Sequence, residues 1–502
     1  IVVAACTPRT HEPLFQDTLK EAGLNGYLIE MANIRNQNSW VHQKEPEKAT
    51  AKAKDQVRMA VAKAARINPL QNLSIKVVQK ALVIGGGIAG MTAALGLAEQ
   101  GYPTVLVEKS DHLGGNANRI TATAKDEPVR PWLEKLIRRV EQHDMIQIFT
   151  QARLKTVAGS VGDFVSQIDM DGGRPKRITY GAAVIATGAS STKSDEYCYG
   201  SDSRVMTHLE LDDCLAHSPT HFISVDSMAF IQCVGSRNSQ RPYCSRICCT
   251  HTMRNAIRLK ELNPEMNIFV FFRDIRTYGK REELYQKARE LGVLFIRYTL
   301  DDKPAVTINS KGLTITCNDP ILQRPLEVTV DHLVLATAIE ANPTRDLVEL
   351  YKCGVNGDGF LSEAHPKLRP VDMSVDGLFV CGMANYPQPI EESLAQAQAA
   401  VARASVLLAQ QEMKLDAIKS TVTEHCDGCA LCLDVCPYRA IQLIEESNGN
   451  GHKTKKIVTD PALCKGCGLC AATCPKEGVE VNGFTLDQLR AQIAAALTMD
   501  AA

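Results

Sequence analysis

Cysteines are the residues of this 502-residue chain with the most evident chemistry, because eight of its 18 cysteines form two groups with the same spacing. Each group has the spacing Cys-x2-Cys-x2-Cys-x3-Cys-Pro, and the members are Cys426, Cys429, Cys432 and Cys436, then Cys464, Cys467, Cys470 and Cys474. Three thiolates from one tight loop can hold three irons of a cubane, while the fourth cysteine ligates a second cluster. The pattern therefore predicts two [4Fe-4S] clusters. Each cluster is ligated by the first three cysteines of one group and by the last cysteine of the other group. A zinc site is the alternative, but it does not require the x3-Cys-Pro endings.

A third group of cysteines lies within 17 residues and consists of Cys233, Cys244, Cys248 and Cys249. Adjacent cysteines do not easily close a mutual disulfide, and three nearby arginines make the segment electropositive, which favours thiolates. We predict a further metal or cluster site here, with buried structural cysteines as the alternative. The other six cysteines are isolated and are expected to pack as small apolar residues; they are Cys6, Cys198, Cys214, Cys317, Cys353 and Cys381.

A glycine-rich segment supplies a second kind of chemistry. Gly85, Gly87 and Gly90 fit G-x-G-x-x-G between an apolar run and a helix-forming segment, and Glu108 closes the next apolar run, 18 residues further on. Such a turn lets a pyrophosphate approach backbone N–H groups at a helix N-terminus, while the acid accepts hydrogen bonds from a ribose. The context favours a dinucleotide site over a purely structural turn.

Further residues indicate which dinucleotide binds. Lys109 follows the acid, Gly115 lies in a Gly-Gly pair, one apolar run ends in Ala186, Thr187 and Gly188, and a late run ends at Gly382 and Met383. This arrangement resembles the thioredoxin reductase-like flavoproteins with two dinucleotide-binding domains. The resemblance implies FAD, with Gly382 and the following helix approaching the flavin. Met383 stands where that class commonly has an acid.

The segment around Cys233 lacks the nicotinamide-binding features of that class. Residues 231–237 have the sequence IQCVGSR, and no second G-x-G-x-x-G occurs in this lobe. The lobe also has no Cys-x-x-Cys pair. We therefore expect neither direct hydride delivery from NAD(P)H nor a thioredoxin reductase mechanism.

Alternating strand and helix patterns indicate how these residues are positioned. The predicted fold class is α/β, a thioredoxin reductase-like two-dinucleotide-binding-domain flavoprotein with a C-terminal α+β two-cluster ferredoxin domain. The predicted parts are a partial N-terminal α/β domain with a linker helix (1–70), the FAD-binding domain (71–220 and 301–415), an inserted lobe with the cysteine group (221–300), the ferredoxin domain (421–485) and a terminal helix (486–502).

Composition excludes several classes of partner. With 56 Lys+Arg against 57 Asp+Glu, the chain has no basic surplus for nucleic acid or anionic membranes. No run approaches the roughly 18 apolar residues of a membrane helix, and no basic n-region of a signal peptide is present. We expect a cytoplasmic protein. The chain begins without Met in an apolar run, so we expect N-terminal sequence to be missing.

Taken together, these motifs resemble the A subunit of heterodisulfide reductase and its bacterial and archaeal relatives. The resemblance covers essentially the whole chain. It is carried by residues 4–13 (AACTPRTHEP), 31–35 (MANIR), 39–42 (SWVH), 85–90 (GGGIAG), 233–237 (CVGSR), 243–249 (YCSRICC), 273–279 (RDIRTYG) and the paired cysteine groups. It implies that the group containing Cys233 ligates a [4Fe-4S] cluster near FAD, which makes three clusters in all.

The resemblance also implies a role. In that family the protein is an electron hub whose flavin collects or splits electron pairs and whose clusters pass single electrons onward. The implied partners are disulfide-reducing subunits, ferredoxin, and a hydrogenase or formate dehydrogenase electron-input subunit, with a homodimer inside the complex. The alternatives are an NAD(P)H-dependent flavoprotein reductase with a ferredoxin domain, and a scaffold with a vestigial flavin.

Three departures from the family pattern affect what is carried over. Asn38 stands where relatives often have Cys, and no extra ferredoxin insertion follows the Gly-Gly pair. Arg254 stands where bifurcating relatives tend to have Lys near flavin N5, and an arginine stays charged where a lysine can release a proton. We therefore expect Arg254 to lie near the flavin and to alter its energetics, with a confurcating or non-bifurcating role. His11, His42, His112 and His251 have no neighbours at metal-ligand spacing and are expected at the surface or in caps.

Overall fold

The computed structural model describes residues 1–170, 172–310, 312–447 and 453–498. The chain divides into two compact units. The smaller comprises Ile1–Ile75 and Glu412–Ala502, and the larger comprises Lys76–Gln411.

The helices of the described residues alternate with short strands through most of the chain. They are α1 (Pro8–Glu21), α2 (Pro46–Ala64), α3 (Ile88–Glu99), α4 (Val129–Glu141), α5 (His208–His217), α6 (Cys248–Leu262), α7 (Glu282–Glu290), α8 (Arg345–Tyr351), α9 (Ile390–Leu408), α10 (Leu431–Asp434), α11 (Leu469–Thr473) and α12 (Leu486–Leu497). The strands are β1 (Val2–Ala5), β2 (Glu30–Asn33), β3 (Leu73–Lys76), β4 (Ala81–Ile84), β5 (Thr104–Val107), β6 (Ile146–Phe149), β7 (Ala152–Ser160), β8 (Asp163–Met170), β9 (Lys176–Tyr180), β10 (Ala182–Ile185), β11 (Ala189–Ser191), β12 (Val205–Thr207), β13 (Ser227–Val234), β14 (Asn267–Phe272), β15 (Leu294–Arg297), β16 (Ala305–Asn309), β17 (Gly312–Asp319), β18 (Arg324–Val330), β19 (His332–Thr337), β20 (Ile339–Ala341), β21 (Glu363–His365), β22 (Arg369–Met373), β23 (Leu378–Val380), β24 (Glu412–Leu415), β25 (Ser420–Val422), β26 (Ile441–Ser447), β27 (Lys453–Thr459) and β28 (Val479–Val481).

A seven-stranded sheet forms the base of the larger unit, in the order β21-β22-β23-β10-β4-β5-β6. The strands from β23 to β6 pair in parallel. Every residue of β4, β5 and β10 is buried. Parallel strands that are covered on both faces need continuous apolar runs, and these strands have them. Helix α3 packs against α9, where Gly96 leaves room for Val401.

The inserted lobe has a parallel sheet of its own in the order β12-β19-β13-β14-β15. Helix α6 follows β13 and α7 follows β14, so the lobe repeats the strand–helix alternation. Its sheet includes β12 and β19, which lie outside the predicted range 221–300 on both sides. Pairing between strands so distant in sequence is not visible in local patterns. The antiparallel strands β16-β17-β18 also pack on this lobe through Leu313 and Ile315.

The smaller unit joins the two ends of the chain. Strands β1 and β2 pair in parallel, and α12 packs against α2. The buried Lys63 ammonium pairs with Glu30 at 2.8 Å and lies 4.1 Å from the ring centre of Phe484. Two antiparallel pairs, β25-β28 and β26-β27, frame the short helices α10 and α11 that carry cysteines.

Candidate functional site

A cavity of about 420 Å³ lies in the larger unit at the carboxyl ends of β4 and β10. The turn after β4 is built from glycines because the backbones touch there. A Cβ on Gly85, which has φ +112°, would lie 2.3 Å from the Ala186 carbonyl oxygen. A Cβ on Gly90 would lie 1.8 Å from the Gly85 oxygen. Gly90 therefore brings α3 against the turn, whereas Gly85 and Gly87 line the cavity.

Glu108 holds this turn in place. Its buried carboxylate accepts hydrogen bonds from the backbone N–H groups of Gly86 at 2.5 Å and Ser110 at 2.8 Å. Each carboxylate oxygen keeps a second lone pair, and Glu108 lines the cavity. The side chain can therefore brace the turn and still accept a hydrogen bond from a ribose.

The other predicted cofactor residues line the same cavity from several loops. They are Lys109, Gly115, Ala186, Thr187, Gly188, Gly382 and Met383. A Cβ on Gly382, which has φ +69°, would lie 2.8 Å from the Ala89 side chain, so glycine is needed there as well. The structure brings every predicted cofactor residue to this cavity except Gly90, which packs against Gly85 instead.

The cavity wall contains polar atoms that need a partner. Thr187 Oγ1, Thr250 Oγ1, Gln388 Oε1 and Arg254 Nε are buried and have no hydrogen-bond partner within the described residues. Buried polar groups are nearly always hydrogen-bonded, so the wall suits a large polar ligand. A dinucleotide with hydroxyl, phosphate and ring acceptors fits this set.

Helix α6 connects the cavity with the third cysteine group. Cys248 and Arg254 both line the cavity. Arg254 is buried, and its Nη2 donates to Thr121 Oγ1 at 2.6 Å. Cys244 instead lines a separate surface pocket of about 530 Å³, together with Tyr278. The group thus extends from the dinucleotide cavity to the surface of the lobe.

The four thiols of this group lie within electrostatic reach of one another. Burial, and then the neighbouring Cys249, Cys233 and Cys244 thiols, hold the pKa of Cys248 well above its ordinary value. Burial also raises the pKa of Cys249 to about 12. Thiolates this close are unfavourable alone, and bound iron reverses that preference because a coordinating thiol is deprotonated. The arginines beside the group are paired: Arg237 lies 2.5 Å from Asp274.

The eight remaining predicted ligands surround two small cavities in the smaller unit. One cavity is lined by Cys464, Cys467, Cys470 and Cys436, and the other by Cys426, Cys429, Cys432 and Cys474. The cysteines are thus grouped crosswise, the last of each run joining the other three. Among the described residues, no three His, Cys, Asp or Glu side chains converge on one metal ion. Four thiolates on four irons of a cubane stand farther apart than the ligands of a single ion.

Glycines shape both cysteine loops. A Cβ on Gly428, which has φ +72°, would lie 2.5 Å from the Lys455 carbonyl oxygen, and one on Gly466, with φ +64°, would lie 2.5 Å from the Ile418 oxygen. Each loop is therefore pressed against a neighbouring backbone segment. This fixes the direction in which the flanking cysteines project.

Two domain families match the chain. Residues 79–220 match the pyridine nucleotide-disulphide oxidoreductase family, and residues 425–477 match the 4Fe-4S dicluster domain. The A subunit of the H2:CoB-CoM heterodisulfide, ferredoxin reductase of Methanothermobacter marburgensis is 36% identical over 99% of this chain and 88% of its own length. The chain belongs to the family of heterodisulfide reductase A subunits.

Other members of the heterodisulfide reductase A family are similar to this chain over most of its length. In Methanopyrus kandleri, the second iron-sulfur A subunit of CoB–CoM heterodisulfide reductase is 35% identical to this chain. The match covers 89% of this chain and 82% of that subunit's length. The A subunit of the H2/formate:CoB-CoM heterodisulfide, ferredoxin reductase of Methanococcus maripaludis is 31% identical over 90% of this chain and 82% of its own length. A solved thioredoxin reductase from Lactococcus lactis has a TM-score of 0.47 at 15% identity, covering 66% of this chain and 99% of its own.

These findings confirm the predicted family, fold class and enzyme class. The chain is part of an oxidoreductase, and it combines a pyridine nucleotide-disulphide oxidoreductase domain with a 4Fe-4S dicluster domain. Among the helices of the described residues, none has both the length and the apolar character needed to cross a membrane.

No sequence motif of this heterodisulfide reductase A-family chain marks a charged cluster that lies beside the cavity. Asp212 on α5 is fully buried, and its carboxylate lies 3.0 Å from His251 Nε2 and 3.7 Å from Arg254 Nη1. Burial alone would raise the pKa of Asp212, but His251 and Arg254, with the donor Asn255, lower it to about 2. The His251 ring stacks on buried His208 at 4.6 Å.

The surface or capping role predicted for His251 is wrong, because α6 lies between the lobe sheet and the cavity that His251 lines. The spacing could have indicated this, since His251 and Arg254 are three residues apart and share a helix face. Of the six isolated cysteines, Cys317, Cys353 and Cys381 are buried as predicted, but Cys214 is exposed on α5.

Asn38 has a structural role in this family member. The residue is 1% exposed, and its Nδ2 donates to the Ala49 carbonyl oxygen at 2.9 Å and to Gln56 Oε1 at 3.0 Å. The amide thus ties the turn after β2 to α2. A thiol could not make these two donations, so the departure from cysteine is matched by its surroundings.

Proposed function

We propose that this chain is the FAD- and [4Fe-4S]-containing electron-transfer hub of a heterodisulfide reductase-like complex. The observation that carries the proposal is the position of Cys248 in the wall of the dinucleotide cavity, while Cys244 of the same group faces a surface pocket. A cluster on these cysteines would lie beside a cavity-bound flavin and near the lobe surface. Electrons could then leave the flavin one at a time.

The cofactor inventory of the proposal is FAD and three [4Fe-4S] clusters. The glycine turn and Glu108 would hold the pyrophosphate and ribose. One cluster would be held by Cys233, Cys244, Cys248 and Cys249. The other two would be held by the two crosswise cysteine sets of the dicluster domain. FAD supplies the exchange between two-electron and one-electron chemistry.

The chain's own residues prepare the cavity for this task. Arg254 is held by Thr121 and Asp212, so its guanidinium is fixed in the wall, with its charge offset in part by the Asp212 carboxylate. A fixed cation stabilises negative charge that develops on a bound ring system without reorganising. In this role Arg254 supports electron storage in the cavity, and we propose that it shifts the balance between bifurcation, confurcation and simple relay.

The names of the relatives support a multi-subunit setting. Relatives are named as A subunits of reductases that use H2 or formate, a heterodisulfide and ferredoxin. As partners we propose ferredoxin, disulfide-reducing subunits, and a hydrogenase or formate dehydrogenase electron-input subunit, with the chain a homodimer in the complex.

Quantification of cofactors in the anaerobically purified chain tests the proposal. About 12 Fe per FAD are expected for three cubanes. Cys248→Ser should lower this to about 8 and keep FAD. The matched control Cys353→Ser changes a buried cysteine of the same unit that does not line the cavity, and it should keep all the iron. Folded protein without FAD would contradict the proposal, and rapid flavin bleaching by stoichiometric NADH or NADPH would favour the NAD(P)H-dependent reductase.

A further inference from the structure

The two cysteine sets of the dicluster domain differ in the hydrogen bonds that their sulfurs accept. Cys464 Sγ accepts from the backbone N–H groups of Ser420 at 3.3 Å and Gly466 at 3.4 Å. Cys436 Sγ, in the same set, accepts from Ala440 N–H at 3.4 Å. This set, named here the Cys464 set, therefore has three backbone donors.

The other set, named here the Cys426 set after its first member, has fewer such donors. Within the described part of the chain, one backbone N–H donates to a sulfur of this set. It is that of Gly478, which lies 3.2 Å from Cys474 Sγ. Each set has one exposed cysteine, Cys429 or Cys467, but two cysteines of the Cys464 set are buried, against one of the Cys426 set. Greater burial alone would lower the potential of a cluster on the Cys464 set, because it disfavours added negative charge. The additional hydrogen-bond donors act in the opposite direction and raise it.

Charge differs in the same direction. The Lys419 ammonium donates to the carbonyl oxygen of Cys464 at 2.5 Å, which places a cation against the backbone of a Cys464-set residue. Beside the Cys426 set, Lys476 is ion-paired with Asp427, so their charges largely cancel. The Asp427 carboxylate also accepts from the Cys429 N–H at 3.3 Å, so the neutralised pair is held against the backbone of this set.

A cubane gains one negative charge when it is reduced. Hydrogen bonds to its sulfurs and nearby cations stabilise that charge and raise the reduction potential. We infer that the cluster on the Cys464 set has the higher potential of the two. This inference rests on the proposed function, because it takes both cavities to be cluster sites.

The inference gives the domain a direction. With clusters on both sets, a single electron would reside mainly on the Cys464 set: a reduced cluster on the Cys426 set would lose one electron to an oxidised cluster on the Cys464 set, with no proton moved. The Cys426 set would then hold the stronger reductant of the fully reduced domain.

A redox titration of the full chain, followed by electron paramagnetic resonance, tests this order. We expect two reduction waves. A single electron should occupy one cluster at least about tenfold more often than the other, which corresponds to waves separated by about 59 mV for one-electron couples. Lys419→Met should move the higher wave to lower potential. Lys476→Met leaves Asp427 unbalanced and should move the lower wave down. Lys414→Met, a change at an exposed lysine of the same unit that lines neither cavity, is the control and should move neither wave.

The two lysine variants assign the waves independently, so either one decides if the other fails to fold. Coincident waves, or a lower wave that responds to Lys419→Met, would overturn the inference and leave the proposed function intact. A higher wave that responds to Lys476→Met would do the same. Folded protein without iron in this domain would instead overturn the proposed function itself.

Discussion

Asp212 and Arg254 face each other across 3.7 Å in the larger unit, with the carboxylate fully buried and the guanidinium in the wall of the dinucleotide cavity. The pair joins α5 to α6. A buried charge is costly unless it is paired, so each residue depends on the other for its position.

Loss of the Asp212 charge should destabilise the larger unit in a pH-dependent way. The pKa of Asp212 in the folded chain is about 2, below its ordinary value of 3.8, so the charged form stabilises the fold above that value. The stabilisation is present at neutral pH and is lost as the pH falls from about 4 towards 2. We expect Asp212→Asn to lower the free energy of unfolding of the FAD-loaded protein by about 2 kcal/mol at pH 7.

Urea unfolding between pH 7 and pH 3 measures this difference, which should shrink below about pH 4. Asp213→Asn, at the next position of the same helix and half-exposed opposite Arg119, is the matched control and should change little. Equal effects of the two changes at pH 7 would show that the Asp212 charge is not needed.

Gly87 offers a test of the cofactor position that is separate from folding. No atom lies within 4 Å of a Cβ placed on this glycine, and the residue lines the cavity. Gly87→Ala should therefore leave the thermal stability of the FAD-free chain unchanged while it weakens FAD binding at least tenfold. Gly357→Ala, also in open space but away from the cavity, is the control. Unchanged FAD affinity in Gly87→Ala would place the cofactor elsewhere.

Arg254 should raise the potential of the bound flavin. Removal of its fixed cation by Arg254→Gln disfavours the charge of the reduced ring, and we expect a fall of about 30 mV, a tenfold change for a two-electron couple. The flavin potential of Arg254→Lys should lie between those of wild type and Arg254→Gln, because a lysine keeps the charge but reproduces only part of the guanidinium geometry. Arg258→Met changes an exposed arginine of the same helix and controls for surface charge. A flavin potential identical in wild type and Arg254→Lys argues against this role.

Asn38 should stabilise the smaller unit. Asn38→Ala removes the donor to Gln56 Oε1 and the second donor to the Ala49 carbonyl, which also lies within α2, and loss of such buried hydrogen bonds costs about 1–3 kcal/mol. Thermal unfolding of the full chain compares this variant with Asn36→Ala, in the same turn. If both variants unfold at the wild-type temperature, the buried amide has no structural role.

Motif-bearing parts of the molecule could be predicted from the sequence because their constraints are local. The approach of Gly90 to the Gly85 oxygen lies within one strand–helix unit, and the cysteine spacing fixes which thiols surround each small cavity. The crosswise grouping of Cys436 with Cys464 follows from the same repeated spacing.

Other features depend on contacts between distant segments. Asp212 lies on a helix that no motif marks, and its partners on α6 are about forty residues away along the chain. One side of the lobe sheet is formed by β12 and β19, whose pairing joins Val205 with Leu333. Such pairings are set by tertiary packing rather than by local periodicity.

The central claim is that a cluster on the Cys248 group lies beside the flavin. The relaxation rate of the flavin radical, measured by electron paramagnetic resonance in the half-reduced protein, tests it most directly, because a nearby paramagnetic cluster speeds relaxation. The account predicts fast relaxation in wild type and in Cys353→Ser, and slow relaxation in Cys248→Ser with FAD retained. Equally slow relaxation in all three proteins would contradict it.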